Sequence, residues 1–373
     1  MKKGYYIYPC GYQENSKNYV GVEKKIDMQC KEFSKYVNIE YIPAYEKKPK
    51  SILGKVRKRL LWHSANRNYE EIIDRFVNPD FVYIRRNTAD RRFIKFIRDI
   101  KEKFPTCKTV VEIYTYPYEK DEYKSIIGKF ALLKDRVFRK QYRLIVDRFV
   151  TYTADDEIFG VKTIKTINGV DTDSFTTISP RESDNEIHLL AIAMFQKHHG
   201  YERIITGLKN YYEAGGTREV KLYLVGDGPE TQYYKELTKE NNLSDKVVFW
   251  GRRMGKELDE VYNISDIGLG TFGFYKIGLE TASSLKTKEC LSKGLPIVAG
   301  NKENFVGEKL SKYYLGFPND STPVDINRII RFYDSLYNTG KTRREIANSI
   351  HMIAKDTVSM EITLKPIIDF IEE

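Results

Sequence analysis

ASSLKTKECLSKGLPIVAG, residues 282–300, is the most informative stretch of this 373-residue chain. Ser283 or Ser284 can cap a helix predicted to start near Leu285, because a short hydroxyl side chain accepts from N–H groups that a first helical turn leaves unpaired. Gly294 ends that helix, Pro296 follows, and a buried strand begins. A loop feeding a helix N-terminus presents free backbone N–H groups, which suit a phosphate. Lys286 falls in the first turn, where a cation opposes the helix dipole by roughly a few tenths of a kcal/mol. A bound diphosphate would reverse that penalty. Glu289 lies three residues further on the same face, where a carboxylate can accept from a ribose diol. The same residues also read as an ordinary solvated helix carrying Lys and Glu charges.

On both sides of this stretch, short apolar runs alternate with helical patterns. Strands are expected at 5–10, 81–85, 109–113 and 149–153, with helices at 22–33 and 88–103. A second series has strands at 187–194, 220–225, 246–250, 267–270 and 296–299, with helices at 201–212, 230–241, 256–262 and 285–293. Such alternation implies α/β domains with parallel sheets covered on both faces. Two series imply two doubly wound domains, with ligands at the carboxyl ends of the strands and the natural site in the cleft between the sheets. The join is expected within Thr176–Asp184, TTISPRESD, giving domains 1–177 and 178–358. Residues 359–373 hold a last amphipathic helix, Ile362–Glu372, able to pack on either domain.

The net charge of +10 is uneven. Residues 1–180 hold 36 Lys and Arg against 24 Asp and Glu, a balance of +12, and the remainder holds 26 against 28. That asymmetry points to an anionic partner: membrane lipid, nucleic acid or a phosphorylated substrate. Lys47–Leu61, KKPKSILGKVRKRLL, places Ile52, Leu53, Val56 and Leu60 at helical spacing. Lys55, Arg57, Lys58 and Arg59 fill the other side, and Trp62 follows. This reads as a helix lying in a membrane interface, or as a core-packed helix with a solvated basic face. Cys10, Cys30, Cys107 and Cys290 have no metal or redox spacing and read as thiols of a reducing compartment. The start is too short for a signal peptide, and no run approaches the roughly 20 apolar residues that span a bilayer. A cytoplasmic protein at the inner face of the cell membrane is expected. Asp171-Thr172-Asp173 sits inside NGVDTDSF, where the carboxylates serve turn geometry and not metal.

KECLSKGLPIV, residues 288–298, resembles the corresponding stretch of retaining GT-B glycosyltransferases of group 1, in a form similar to a subgroup of bacterial polysaccharide assembly. NGVD (168–171), VGDGP (225–229), VVFWG (247–251) and GVEKK (21–25) resemble further segments of that family in the right order. The resemblance implies two Rossmann-like domains facing a central cleft. The N-terminal one would hold the acceptor, and the C-terminal one a nucleotide-sugar donor, with no cofactor and no metal. It puts Glu289 on the donor ribose, and Ser284, Leu285 and Lys286 at the phosphates. Gly21, Gly226, Gly251 and Arg252 would also line the donor site. The family's first Glu falls at Thr281 here, with Glu280 one place away. An Arg and a Lys that commonly hold the diphosphate fall at Met194 and His199, with Lys197 and His198 as neighbours. A His usual in the N-terminal domain falls at Tyr114, and Glu112 precedes it on a strand. These two are the catalytic candidates, Glu112 also reading as a structural ion pair. The implied reaction is hexosyl transfer to a lipid-linked saccharide. An epimerase or hydrolase on the same fold would need an acidic or His base. A nucleic-acid-binding protein would need a recognisable module, and none is present.

Overall fold

The computed structural model describes residues 1–10, 20–47, 64, 66–119, 126–179 and 185–373. Lys55, Arg57, Lys58, Arg59 and Trp62 lie outside the described residues, as do residues 180–184 of the expected join. By contact the chain forms two units, Met1–Ile167 with Met360–Glu373, and Asn168–Ser359. The division falls earlier than 177/178 because Asn168 and Val170 are already bonded into the second unit. The Asn168 N–H donates to Ser283 Oγ at 3.1 Å, and Val170 bridges Ser359.

The first unit runs β1 (Lys3–Pro9), α1 (Val20–Phe33), β2 (Asn38–Ala44), α2 (Tyr69–Asp74), β3 (Phe81–Arg85), α3 (Arg91–Lys103), β4 (Lys108–Ile113), α4 (Ile126–Phe138), β5 (Arg148–Thr151), β6 (Glu157–Ile158) and β7 (Val161–Lys165). Its sheet order is β2-β1-β3-β4-β5-β7-β6, parallel except for the β6–β7 pair. Side chains alternate between two cores, as a period of two requires. Tyr5, Ile7, Val82 and Ile84 face one cluster, and Tyr6, Phe81 and Tyr83 face the other. β2 was not expected from the sequence. It is the edge strand, partly exposed, and carries Pro43, which only an edge tolerates.

The second unit runs β8 (Glu186–Ala193), α5 (Glu202–Glu213), β9 (Glu219–Gly226), α6 (Thr231–Glu240), β10 (Val247–Gly251), α7 (Lys256–Asn263), β11 (Ile267–Leu269), β12 (Thr281–Ala282), α8 (Leu285–Lys293), β13 (Ile297–Ala299), β14 (Lys302–Glu303), α9 (Glu308–Ser311), β15 (Tyr314–Gly316), α10 (Ile326–Tyr337) and α11 (Arg343–Val358). Its main sheet, β10-β9-β8-β11-β13-β15, is wholly parallel. β12 and β14 form a small parallel pair of their own. The last helix, α12 (Met360–Glu372), belongs to the first unit. Met360, Leu364, Ile367, Ile368 and Ile371 are buried against Tyr6, Ile26, Phe33 and Tyr83.

Candidate functional site

The strand order of the second unit reverses at β8, with β9 and β10 on one side and β11, β13 and β15 on the other. In open α/β sheets that reversal, at the carboxyl ends, is where ligands bind. The loops leaving β8 and β11 meet there: the Phe272 N–H donates to the His199 carbonyl at 2.7 Å, and the Gly273 N–H to that of His198 at 3.1 Å. The turn after β9 lies against the same loop. Gly226 has a φ of +131°, and a Cβ there would stand 1.9 Å from the Ala193 carbonyl oxygen. A Cβ on Gly228 would meet the Phe195 carbonyl at 2.5 Å, so this close backbone approach admits only glycine. Gly251 ends β10 at a φ of +64°, and the mostly exposed Arg252 follows, 4.0 Å from Asp227.

Lys197 is exposed at this edge, and Met194 projects beside it. His199, expected at the phosphates, is engaged in its own loop. Its Nδ1 accepts from the Gln196 N–H at 2.9 Å, and its ring stacks on Tyr201. Burial, with His198 next to it, lowers its pKa to about 4. Its ring is thus held neutral against the loop it braces.

The N-terminus of α8 is built as its sequence predicts and then braced from below. Ser284 is the N-cap, its Oγ accepting from the Thr287 N–H, and Gly294 closes the helix in the left-handed region. Glu303, on β14 and buried, accepts from the Ser284 N–H at 3.1 Å and from Thr287 Oγ1 at 3.2 Å. Burial raises its pKa, against those donors and the Lys288 charge. Lys288 is fully buried, with Nζ 2.5 Å from Ser283 Oγ, and Asn168 Nδ2 donates to the Ser283 carbonyl at 3.3 Å. Sequence reasoning missed Glu303 and Lys288. The available signal was a lysine on the inward stripe of α8, one turn from Leu291, which demands a buried acid.

With Ser284 and Thr287 engaged, the N–H groups of Leu285 and Lys286, beyond reach of any helix carbonyl, have no hydrogen-bond partner among the described residues. Lys286 is held by Glu289 at 2.7 Å, so the cation opposing the dipole is already compensated on its own helix. Glu289 is largely buried and Lys286 half-exposed. Glu280 is exposed just ahead of β12.

In the first unit, Gly21 falls inside the first turn of α1, not in a loop before it as expected. Glu112 is fully buried on β4 and takes donors on both oxygens. Tyr152 donates to Oε1 at 2.6 Å and Lys25 at 3.1 Å. Tyr83 and Tyr6 donate to Oε2 at 3.1 and 3.4 Å, and the Arg85 guanidinium stands 3.7 Å away. Burial opposes its charge, but Arg85, Lys25 and these donors prevail and lower its pKa to about 2. One carboxylate thus serves two buried cations, and burial lowers Lys25 to about 8. That geometry is the buried ion pair that the sequence also allowed for Glu112. Tyr114 is half-exposed at the end of the same strand, its ring 4.9 Å from the Arg85 guanidinium. Among the described residues no cluster of three metal-ligating side chains occurs.

Residues 175–349 match the family model of glycosyl transferases group 1. No curated protein matches the chain. Among solved structures, Anabaena Alr3699/HepE in complex with UDP is similar at a TM-score of 0.64 and 15% identity, covering 99% of each chain. A glycosyltransferase from Rickettsia africae is similar at a TM-score of 0.61 and 14% identity, over 100% of this chain and 98% of its own. The lipopolysaccharide outer core galactosyltransferase WaaB is similar at 0.58 and 13% over the whole of both. At such identities the likeness establishes the fold, which is GT-B: two Rossmann-like units with parallel sheets. Fold and family model together support a glycosyltransferase.

Proposed function

We propose that the chain is a retaining glycosyltransferase that takes a sugar from a nucleotide-sugar donor on its second unit. Its acceptor would be a lipid-linked saccharide of cell-surface polysaccharide assembly, held by the first unit at the inner membrane face. The observation that carries this reading is the start of α8. Two N–H groups, a lysine and a carboxylate on the next turn stand together on a braced frame, inside the segment that matches the family model. HepE was solved with UDP and with UDP-glucose, and WaaB is named a galactosyltransferase, which favours a nucleotide-sugar donor and a saccharide acceptor.

The donor diphosphate would lie on the Leu285 and Lys286 N–H groups, where the helix dipole favours negative charge. Lys286 would turn from Glu289 to the phosphates, with Lys197 at the same edge. Glu289, released, would accept from the ribose hydroxyls. In the transfer, the bond from the sugar C1 to the phosphate oxygen breaks and a bond from C1 to the acceptor oxygen forms on the same face. The acceptor proton passes to the leaving diphosphate. Glu112, buried and fully engaged, is unsuited to take that proton, which favours a mechanism with no protein base.

The test is incubation with UDP- and GDP-sugars and a lipid-linked saccharide extract, following nucleoside diphosphate release and the product's anomeric proton by NMR. Retention of donor configuration, undiminished in EDTA, is expected. An inverted product would overturn the retaining mechanism, and loss in EDTA restored by Mg²⁺ would overturn metal-free donor binding.

A further inference from the structure

The outward face of α4 carries a pattern that neither the core nor the donor site uses. Phe130, Leu133 and Val137 are 59%, 50% and 38% exposed, and Leu144 beyond the helix end is 74% exposed. Large apolar side chains so exposed on one element are unusual for a surface that meets only water. Lys129, Arg136, Lys140 and Arg143 are exposed among them. The pairs Lys129-Phe130 and Arg136-Val137 stand seven residues, two helical turns, apart in one row of α4, and Arg143-Leu144 lie at the end of the 3-10 helix, Arg139–Leu144, that continues it. The opposite side of the helix anchors the row. Asp135 is buried, accepting from the Ala89 N–H at 2.8 Å and from the Tyr118 hydroxyl at 2.6 Å, and Ala131, Leu132 and Phe138 pack on the core.

We infer that this row is a docking face for an anionic lipid bilayer. Charge complementarity favours that occupant. Each protruding apolar side chain has a cation beside it, the arrangement in which Phe, Leu and Val enter the acyl boundary while Lys and Arg stay with lipid phosphates. The core of a protein–protein contact is depleted of charge, whereas here cations run through the middle of the row. Among the described residues the acids nearest it are Asp135, which faces inward, and Glu119, half-exposed at the margin, which pairs with Arg136 and Arg139. Beside the row lies an open hollow of about 830 Å³ lined by Arg136, Val137, Arg139, Lys140, Arg143 and Phe159. The excess charge of residues 1–180 has the same sign. Anionic-lipid attraction acts within about a Debye length and adds with each cation.

This inference deepens the membrane part of the proposed function and rests on it. It is tested without nucleotide, so its failure is separable from failure of sugar transfer. The full-length protein is floated with phosphatidylcholine vesicles and with vesicles containing 30% phosphatidylglycerol, at two salt concentrations. The comparison adds F130S/L133S/V137S and K129Q/K140Q/R143Q, with melting temperature and gel-filtration volume measured for each. Binding to anionic vesicles, weakened at least about tenfold by either triple variant, is the expected result, with a smaller salt dependence for the charge variant. Unchanged binding of both variants, or no binding by the parent, would overturn the proposal. A parent that is dimeric where F130S/L133S/V137S is monomeric would overturn it in favour of a contact between copies.

Discussion

Glu112 shows how one side chain is set by everything around it. Two cations and three tyrosine hydroxyls converge on a carboxylate with no exposure. Its pKa is near 2 in the folded protein and about 4.3 in an unfolded chain. The folded pKa is depressed, so the stabilisation is complete above about pH 4.3 and is lost as pH falls through about 2. Glu112→Gln leaves Lys25 and Arg85 buried without a counter-charge, at a cost of about 3–5 kcal/mol at pH 7. Urea unfolding should show that loss at neutral pH and a shallower decline between pH 4.5 and 2 than the parent's. Equal stabilities at pH 7 would mean the cluster contributes nothing. A strand-end Glu beside an expected tyrosine was legible in the sequence. Its partners Lys25, Arg85 and Tyr152 were not, because they come from α1, β3 and the residue after β5, which only the sheet order brings together.

At the scale of the element, α8 was the most legible part of the chain, and its observed range, Leu285–Lys293, coincides with the expected helix. Local rules sufficed there: a hydroxyl cap, a glycine stop, and a proline before the strand. Ser284→Ala removes the cap on the Thr287 N–H and should cost about 0.5–2 kcal/mol. It should weaken nucleotide binding as well, since the frame of Leu285 and Lys286 loosens. Lowered melting temperature with unchanged nucleotide affinity would separate the cap from the site. α4 escaped the sequence reading for a physical reason. Among its described side chains a few apolar residues and a buried acid face inward while Phe130, Leu133 and Val137 face outward, which blurs the stripe that would mark the core side. α11 was missed although its capping box, Thr342 with Glu345, and its buried Ile346, Ile350 and Ala354 were available to the same local rules.

For the whole molecule, the chain order does not follow the units, because α12 returns to the first unit after the second is complete. Its buried Met360, Leu364, Ile367, Ile368 and Ile371 are worth roughly 1.5–3 kcal/mol each. Together they rival the roughly 5–15 kcal/mol that holds a domain folded. A chain ending at Ser359 should therefore lose the calorimetric transition of the first unit while the second still melts and still responds to nucleotide. A truncated chain with both transitions intact would show that α12 is dispensable. The two-unit plan was legible because two strand–helix series stand on either side of a polar stretch. The assignment of the last helix depends on long-range packing, and the sequence left it open. The central claim is that nucleotide binds at the start of α8, with Glu289 on the ribose. It is tested most directly by calorimetric titration of UDP and GDP into the parent and Glu289→Gln, with melting temperatures measured without ligand. Hydrogen bonds to a charged group are worth about 1.5–3 kcal/mol, so the variant should bind roughly 10- to 150-fold more weakly, with only the small fall in melting temperature that loss of the Lys286 pair brings. Equal affinity in parent and variant, or no binding of either nucleotide by the parent, would contradict the account.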